Sequence, residues 1–225
     1  MRGKLFPLRA TCTAQRPGQS VSASTLDGAR SWLFFNKQES YEYVSQLPGP
    51  GGEIIIGGGN SLLNDGMLEA GNADDSTPNT LVATYLGGIL PIFFGSNWGR
   101  EADYPDAEDN LWTAGRVKST WSGIVCISAD RNPWVGRIPS CVAGRKAPAA
   151  VDRPDRVKTA APGEWIAAGY DGDGMASALL CGRALAYMIL DKAQSHGVSG
   201  WFPEPLLITE KRWSKANPAR ILDDW

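Results

Sequence analysis

The stretch Trp165-Ile166-Ala167-Ala168-Gly169-Tyr170-Asp171-Gly172-Asp173-Gly174-Met175 constrains the fold more than any other part of the chain. A short, nearly continuous apolar run closed by glycines reads as a buried strand. The segment Met175–Leu190 then places Ala178, Leu179, Leu185, Met188 and Ile189 on one side with small residues between them, which predicts a helix. A strand feeding a glycine turn and a helix start exposes backbone N–H groups at the positive end of the helix dipole. Such a place suits an anion or an electron-rich ring atom. Gly172 and Gly174 lack the Cβ that would keep a flat ligand away from the backbone. A turn that binds nothing needs glycine for the same geometric reasons, so spacing alone leaves both readings open.

Upstream the pattern is one of strands joined by turns. Residues 4–16 read as a strand closed by Arg16-Pro17-Gly18, and Ser31–Phe35 as a second strand. A polar stretch and the Pro/Gly cluster 47–52 follow. Glu53-Ile54-Ile55-Ile56 then runs into Gly57-Gly58-Gly59. No Lys-Ser/Thr follows those glycines, so a phosphate loop is a poor match; they are expected to end a strand where another backbone or a ligand comes close. Ser76-Thr77-Pro78 can start a helix carrying Leu81, Val82, Tyr85, Leu86, Ile89 and Leu90, which Pro91 is expected to end or kink. Residues 99–110 read as an acidic loop, 112–127 as a strand, and the proline-rich stretch 139–163 as a loop.

Bulk properties narrow the function. With 225 residues, 43% hydrophobic and 20% charged, the chain can build a real core. A net charge of -2 argues against a nucleic-acid or anionic-membrane partner, which calls for a basic face. Four dispersed cysteines (Cys12, Cys126, Cys141, Cys181) and one histidine make a Cys/His metal site improbable, and no metal is expected. His196 lies in the polar stretch Gln-Ser-His-Gly after the last helix, so it is expected at the surface and a histidine-dependent hydrolase is disfavoured. No apolar run reaches the ~20 residues of a membrane span. A soluble, intracellular protein, cytoplasmic by default, is the expectation.

Several motifs occur in a telling order: Pro7-Leu8-Arg9, Gly52-Glu53-Ile54-Ile55-Ile56-Gly57-Gly58, Trp121-Ser122-Gly123-Ile124, Asp130-Arg131-Asn132-Pro133-Trp134-Val135-Gly136, and Ala167-Ala168-Gly169-Tyr170-Asp171-Gly172-Asp173-Gly174-Met175. Together they resemble the D-amino-acid oxidase/sarcosine oxidase/glycine oxidase superfamily of FAD-dependent oxidoreductases, and within it a fungal branch. The resemblance implies FAD as cofactor, an amine or amino acid as the small-molecule substrate, and oxidation of a C–N bond by hydride transfer to flavin. It further implies that Gly169, Gly172, Asp173, Gly174 and Met175 lie beside the isoalloxazine, with Asp130, Pro133 and Gly136 shaping the crossing back into the cofactor domain. Trp121 and Asp173 would face the substrate, and no side chain is assigned as a catalytic acid or base.

The implied fold class is α+β: a mostly antiparallel substrate-domain sheet with helices, plus the C-terminal strand–turn–helix part of a Rossmann-like FAD-binding domain. The expected division is 1–125 for the substrate-type domain, 126–190 for the cofactor part with its loop 139–163, and 191–225 for a tail. Two positions depart from the family pattern: Ala10 replaces a glycine, and Asp173 stands where many relatives have histidine. No G-x-G-x-x-G occurs in the 225 residues. The family uses that motif to hold the FAD pyrophosphate. The expectation is therefore a truncated family member, inactive alone or completed by a separate dinucleotide-binding chain. A non-catalytic small-molecule or protein-binding module on the same fold is the alternative.

Overall fold

In the computed structural model the described residues are 1–21, 30–35, 41–59, 62, 69–101, 115–149 and 158–219. They form a mixture of helices and antiparallel sheet. The strands are β1 (Leu5–Gln15), β2 (Ser31–Phe35), β3 (Tyr41–Gln46), β4 (Ile54–Gly57), β5 (Val117–Ser128), β6 (Trp134–Arg137) and β7 (Trp165–Ala168). The helices are α1 (Thr80–Phe94), α2 (Ser140–Ala143), α3 (Gly174–Ile189), α4 (Val198–Trp201) and α5 (Glu210–Lys215). A five-stranded sheet runs in the order β2-β3-β4-β1-β5, and β6 and β7 make a separate pair. The expected loop residues 102–110, the expected strand residues 112–114 and residues 150–157 of the proline-rich stretch lie outside the described residues.

The chain divides into two units, Arg9–Ile124 and Met1–Leu8 with Val125–Trp225. In the first unit β3 pairs with both neighbours, Tyr43 standing opposite Leu33 on one side and Gly57 on the other. The triple glycine ends β4 because other groups occupy its space. A Cβ on Gly57 would run into the Tyr43 ring, and one on Gly58 would come within 2.8 Å of the Tyr41 carbonyl oxygen. β3 itself falls in the stretch read from sequence as merely polar. Its Glu42, Val44 and Gln46 face inward while Tyr41, Tyr43 and Ser45 face out, so hydrophobicity and burial are out of phase.

Helix α1 covers that inward face. Asn79 caps it, its side chain accepting from the Leu81 and Val82 N–H groups. Val82, Leu86 and Leu90 are buried with Val44, Ile54, Ile56 and Trp98, and Phe93 stacks on Phe34 with ring centroids 4.2 Å apart. Pro91 neither ends nor breaks the helix, which continues to Phe94. A proline deprives the carbonyl four residues back of its donor. Here that carbonyl is Gly87 O, and Arg116 Nη2 donates to it at 2.7 Å. Gln15 Nε2 donates to the adjacent Leu86 O at 2.6 Å, and Arg116 Nε donates to Gln15 Oε1 at 3.1 Å. Buried Gln15 from β1 and part-buried Arg116, the residue just before β5, together supply the polar contacts, with Arg116 replacing the missing helical bond. The segment Thr80–Asn97 is long and apolar enough by composition to cross a membrane. Its Val82, Leu86 and Leu90 are instead the core of this unit.

In the second unit β6 and β7 pair antiparallel from Trp134↔Ala168 to Arg137↔Trp165, and Val135 bridges Leu207 in parallel. Helix α3 packs on this pair through Cys181 and Ala184, with Leu185 and Met188 beside them, against Val135, Val198 and Phe202. The expected inner face of Ala178, Leu179, Leu185, Met188 and Ile189 is therefore only half right. Leu179 is 85% exposed because it lies two residues, about 200° of helical rotation, from Cys181. A second cluster joins Leu8, Ile127, Ala129, Trp134 and Ala216, flanked by Leu5, Ile166 and Trp213. The stretch read as a tail includes α5, and the stretch read as a loop includes α2.

Candidate functional site

The turn between β7 and α3 is built from three glycines with two different jobs. Gly169 has φ +83°, and a Cβ there would sit 2.5 Å from Leu5 Cδ2 and 3.3 Å from Ser128 Cβ. Its bareness lets the turn pack on β1 and β5. Gly172 has φ +95° and nothing within 4 Å of the Cβ position; at Gly174 the nearest atom is Tyr170 Cβ at 3.9 Å. These two leave open backbone where a flat group can approach. Asp173 N–H donates to Tyr170 O at 2.7 Å and closes the turn.

The start of α3 lacks a cap. Asp173 occupies the N-cap position with φ -87° and ψ 23°, and its side chain accepts no bond from the first turn. Ala176 N–H donates to the Asp173 carbonyl at 3.2 Å, and the Gly174 and Met175 N–H groups are left at the positive end of the dipole. Ser177 Oγ donates to the Asp173 carbonyl at 3.1 Å, so it tightens the turn without taking those N–H groups. Met175 is fully exposed, as is most of Leu179, one helical turn further on. Backbone donors beside exposed apolar side chains suit a flat, partly polar heterocycle.

Behind the turn lies a buried polar cluster centred on Ser128. Its backbone N–H donates to Asp171 Oδ1, its Oγ donates to Asp130 Oδ1 at 2.9 Å, and Trp134 Nε1 donates to that Oγ at 2.8 Å. Arg212 grips Asp130 with Nε and Nη2 at 2.8 and 2.9 Å and donates to the carbonyls of Asn132, Pro133 and Leu206. Its guanidinium lies over the Trp134 ring at 3.8 Å. Burial works to raise the Asp130 pKa, but Arg212 and Ser128 outweigh it and hold the carboxyl below its ordinary range. Asp171 goes the other way: burial pushes it up despite the Ser128 N–H and Arg131. Burial also raises the Cys126 thiol.

Of the residues picked out from sequence, Gly172, Asp173, Gly174 and Met175 come together on the open side of the turn. Gly169 belongs to the turn but faces packed side chains. Asp130 and Pro133 are held by Arg212, and Gly136, with φ +131°, pairs with Ile166 across the β6–β7 ladder. Trp121 lies on β5 in the other unit and is 40% exposed. Sequence reading gave Arg212 no role at the site; its partner Asp130 lies 82 positions away, so no local spacing marks the pair. Of the described residues, none form a group of three or more Cys, His, Asp or Glu suited to a metal ion. His196 is exposed, stacked on Tyr187 with centroids 4.2 Å apart. A cavity of about 580 Å³ opens elsewhere in the same unit, bordered by Asp130, Arg131, Glu204, Lys211, Arg212 and Lys215, and includes none of the turn.

Comparison with known proteins gives three results. The sequence profile of the family DAO, described as FAD dependent oxidoreductase, matches residues 4–188. None of the curated proteins matches the chain. Among solved structures, the crystal structure of glycine oxidase from Geobacillus kaustophilus is similar with a TM-score of 0.48 at 17% identity, over 92% of this chain. This chain spans 40% of that one.

Proposed function

Because this chain belongs to the DAO family of FAD-dependent oxidoreductases, we propose that its β7–α3 turn faces the isoalloxazine ring of FAD. We further propose that the working protein oxidises a C–N bond of an amine or amino acid. The observation that carries the reading is the pair Gly172 and Gly174, whose Cβ positions are open, at an uncapped helix start. The residues present fit a flat ring: no atom lies closer than 3.9 Å to the Cβ position of Gly172 or Gly174, and Met175 and Leu179 are exposed apolar side chains that offer cover.

When bound, FAD supplies the acceptor for the hydride leaving the substrate C–H bond. The protein's part is positioning and electrostatics. The Gly174 and Met175 N–H groups at the start of α3 favour negative charge where the ring's polar edge would rest. Gly172 and Gly174 set the approach distance. Asp173, exposed at the same turn, adds a carboxyl group to which water has access and which that water screens. Hydride transfer of this kind calls for no histidine, and His196 is exposed and stacked on Tyr187. A dinucleotide-binding unit on a separate chain would find an apolar landing face in Met175, Leu179 and Leu180, which are all exposed.

Titration of the purified protein with riboflavin and with FAD, followed by quenching of flavin fluorescence, tests the reading. Saturable binding of riboflavin is expected. FAD is expected to bind only a few-fold more tightly, since the 225 residues hold no G-x-G-x-x-G for the pyrophosphate. Absence of riboflavin binding at millimolar concentration overturns the proposal.

A further inference from the structure

Asp171 adopts φ +51°, one of three left-handed backbone conformations at non-glycine positions among the described residues. Asp and Asn tolerate that region better than other side chains, and glycine adopts it freely. The residue is tied to β5 twice. Its N–H donates to Cys126 O at 3.2 Å, and its Oδ1 accepts the Ser128 N–H. The remaining oxygen, Oδ2, is buried without a hydrogen bond, and its ion-pair partner, Arg131 Nη1, stands 3.6 Å away. A buried carboxylate oxygen without a donor is destabilising, so an ordinary turn is better served by glycine. What the carboxylate does accomplish is to fasten the turn to the last strand of the sheet, next to the two open glycines.

We propose that Asp171 is a positioning residue: its carboxylate, anchored on the Ser128 N–H, holds the Gly172–Gly174 backbone in the orientation that receives the flavin ring. The proposal rests on the flavin-facing reading of the turn. The anchor is itself braced. Ser128 Oγ donates to Asp130, which Arg212 grips, so the turn is connected through Asp171, Ser128, Asp130 and Arg212 to the C-terminal segment at α5. The charged and titratable groups facing Asp171 are Arg131, Asp130 and Cys126. Arg131 favours its ionised form and Asp130 opposes it. Nothing in the turn requires a carboxylate for backbone reasons, because glycine fits φ +51° without strain.

Three proteins decide the matter: the unaltered chain, Asp171→Gly and Asp171→Asn. Glycine keeps the backbone conformation and removes the anchor. Asparagine keeps both the conformation and an oxygen able to accept from Ser128. The amide of Ser128 reports the anchor directly and that of Asp173 reports turn closure, through hydrogen exchange measured by NMR, while riboflavin affinity reports presentation. In Asp171→Gly, exchange at both amides is expected to quicken about tenfold and riboflavin binding to weaken about tenfold. Asp171→Asn is expected to restore both to within about threefold. Unchanged exchange at Ser128 and Asp173 in Asp171→Gly overturns the proposal. Faster exchange with undiminished riboflavin affinity also overturns it, because the anchor then has no bearing on the ligand. If the unaltered chain fails to bind riboflavin, the flavin reading falls and the positioning role falls with it. The exchange data then still decide whether the carboxylate holds the turn.

Discussion

Replacing Gly174 with alanine separates a glycine kept for the fold from one kept for a ligand. The Cβ position at 174 meets nothing closer than Tyr170 Cβ at 3.9 Å, which is ordinary contact, and the backbone there is not left-handed. The folded protein therefore accommodates the methyl group. Gly174 is also the first residue of α3. Alanine is a better helix former than glycine by about 1 kcal/mol in a helix interior, and by less at a first position. A gain of roughly 0.5 kcal/mol corresponds to a rise in Tm of about 1–2 °C for a chain of this size. For a ring resting on the turn the same methyl is an intrusion. Overpacking costs about 1–3 kcal/mol, so riboflavin affinity is expected to fall about tenfold or more. Thermal melting and riboflavin fluorescence quenching, run on the same preparation, read the two effects. Higher Tm with unchanged affinity refutes the placement of the ring, and lower Tm refutes the packing argument itself.

Gly169→Ala is expected to do the reverse, lowering stability by about 1–3 kcal/mol in urea unfolding, because its Cβ would collide with Leu5 beside Ser128 at a left-handed position. Arg116→Met is expected to destabilise by about 2–4 kcal/mol by stranding Gly87 O and Gln15 Oε1. In a Pro91→Ala background the loss should shrink by about 1 kcal/mol, since the backbone N–H that alanine restores then serves Gly87 O, and a double-mutant cycle in urea measures the difference. Stability should fall on acidification for a reason that can be assigned. Hydrogen bonding to Arg9 lowers the folded-state pKa of Glu69. Its contribution is therefore present above the unfolded carboxylate value, about 4, and lost as pH falls through the folded value. Asp171 has the opposite sign: burial raises its folded pKa, so its destabilising effect at neutral pH fades on acidification. Urea midpoints between pH 7 and pH 3 should fall less steeply in Glu69→Gln than in the unaltered chain.

How much of this was legible in the sequence depends on what holds each element. The β7–α3 turn was readable because glycine spacing after an apolar run has few structural meanings. The inner face of α3 was not, since Cys181 and Ala184 are buried by contact with Val135, Val198 and Phe202 rather than by their own hydrophobicity. β3 escaped because its buried positions include Glu42 and Gln46 while its tyrosines point outward. Glu42 is held inside by the Tyr85 hydroxyl, which donates to it at 3.0 Å. Pro91 misled for a related reason: its missing N–H is compensated by Arg116, 25 positions along the chain, and local rules contain no such partner. Arg212 organises the Asp130 loop across 82 positions of sequence separation, so only the folded chain brings it to the site. Where the physics is local, sequence spoke; where long-range polar pairing decides, it was silent.

The placement of the flavin ring is tested most directly by NMR of the 15N-labelled chain titrated with riboflavin. Saturable shifts are expected, concentrated at the amides of Gly172, Asp173, Gly174 and Met175, with Gly169 moving less because it is packed away from the open side. Shifts confined instead to the residues around the 580 Å³ cavity, Glu204, Lys211, Arg212 and Lys215, contradict that placement. The absence of any saturable shift contradicts it equally.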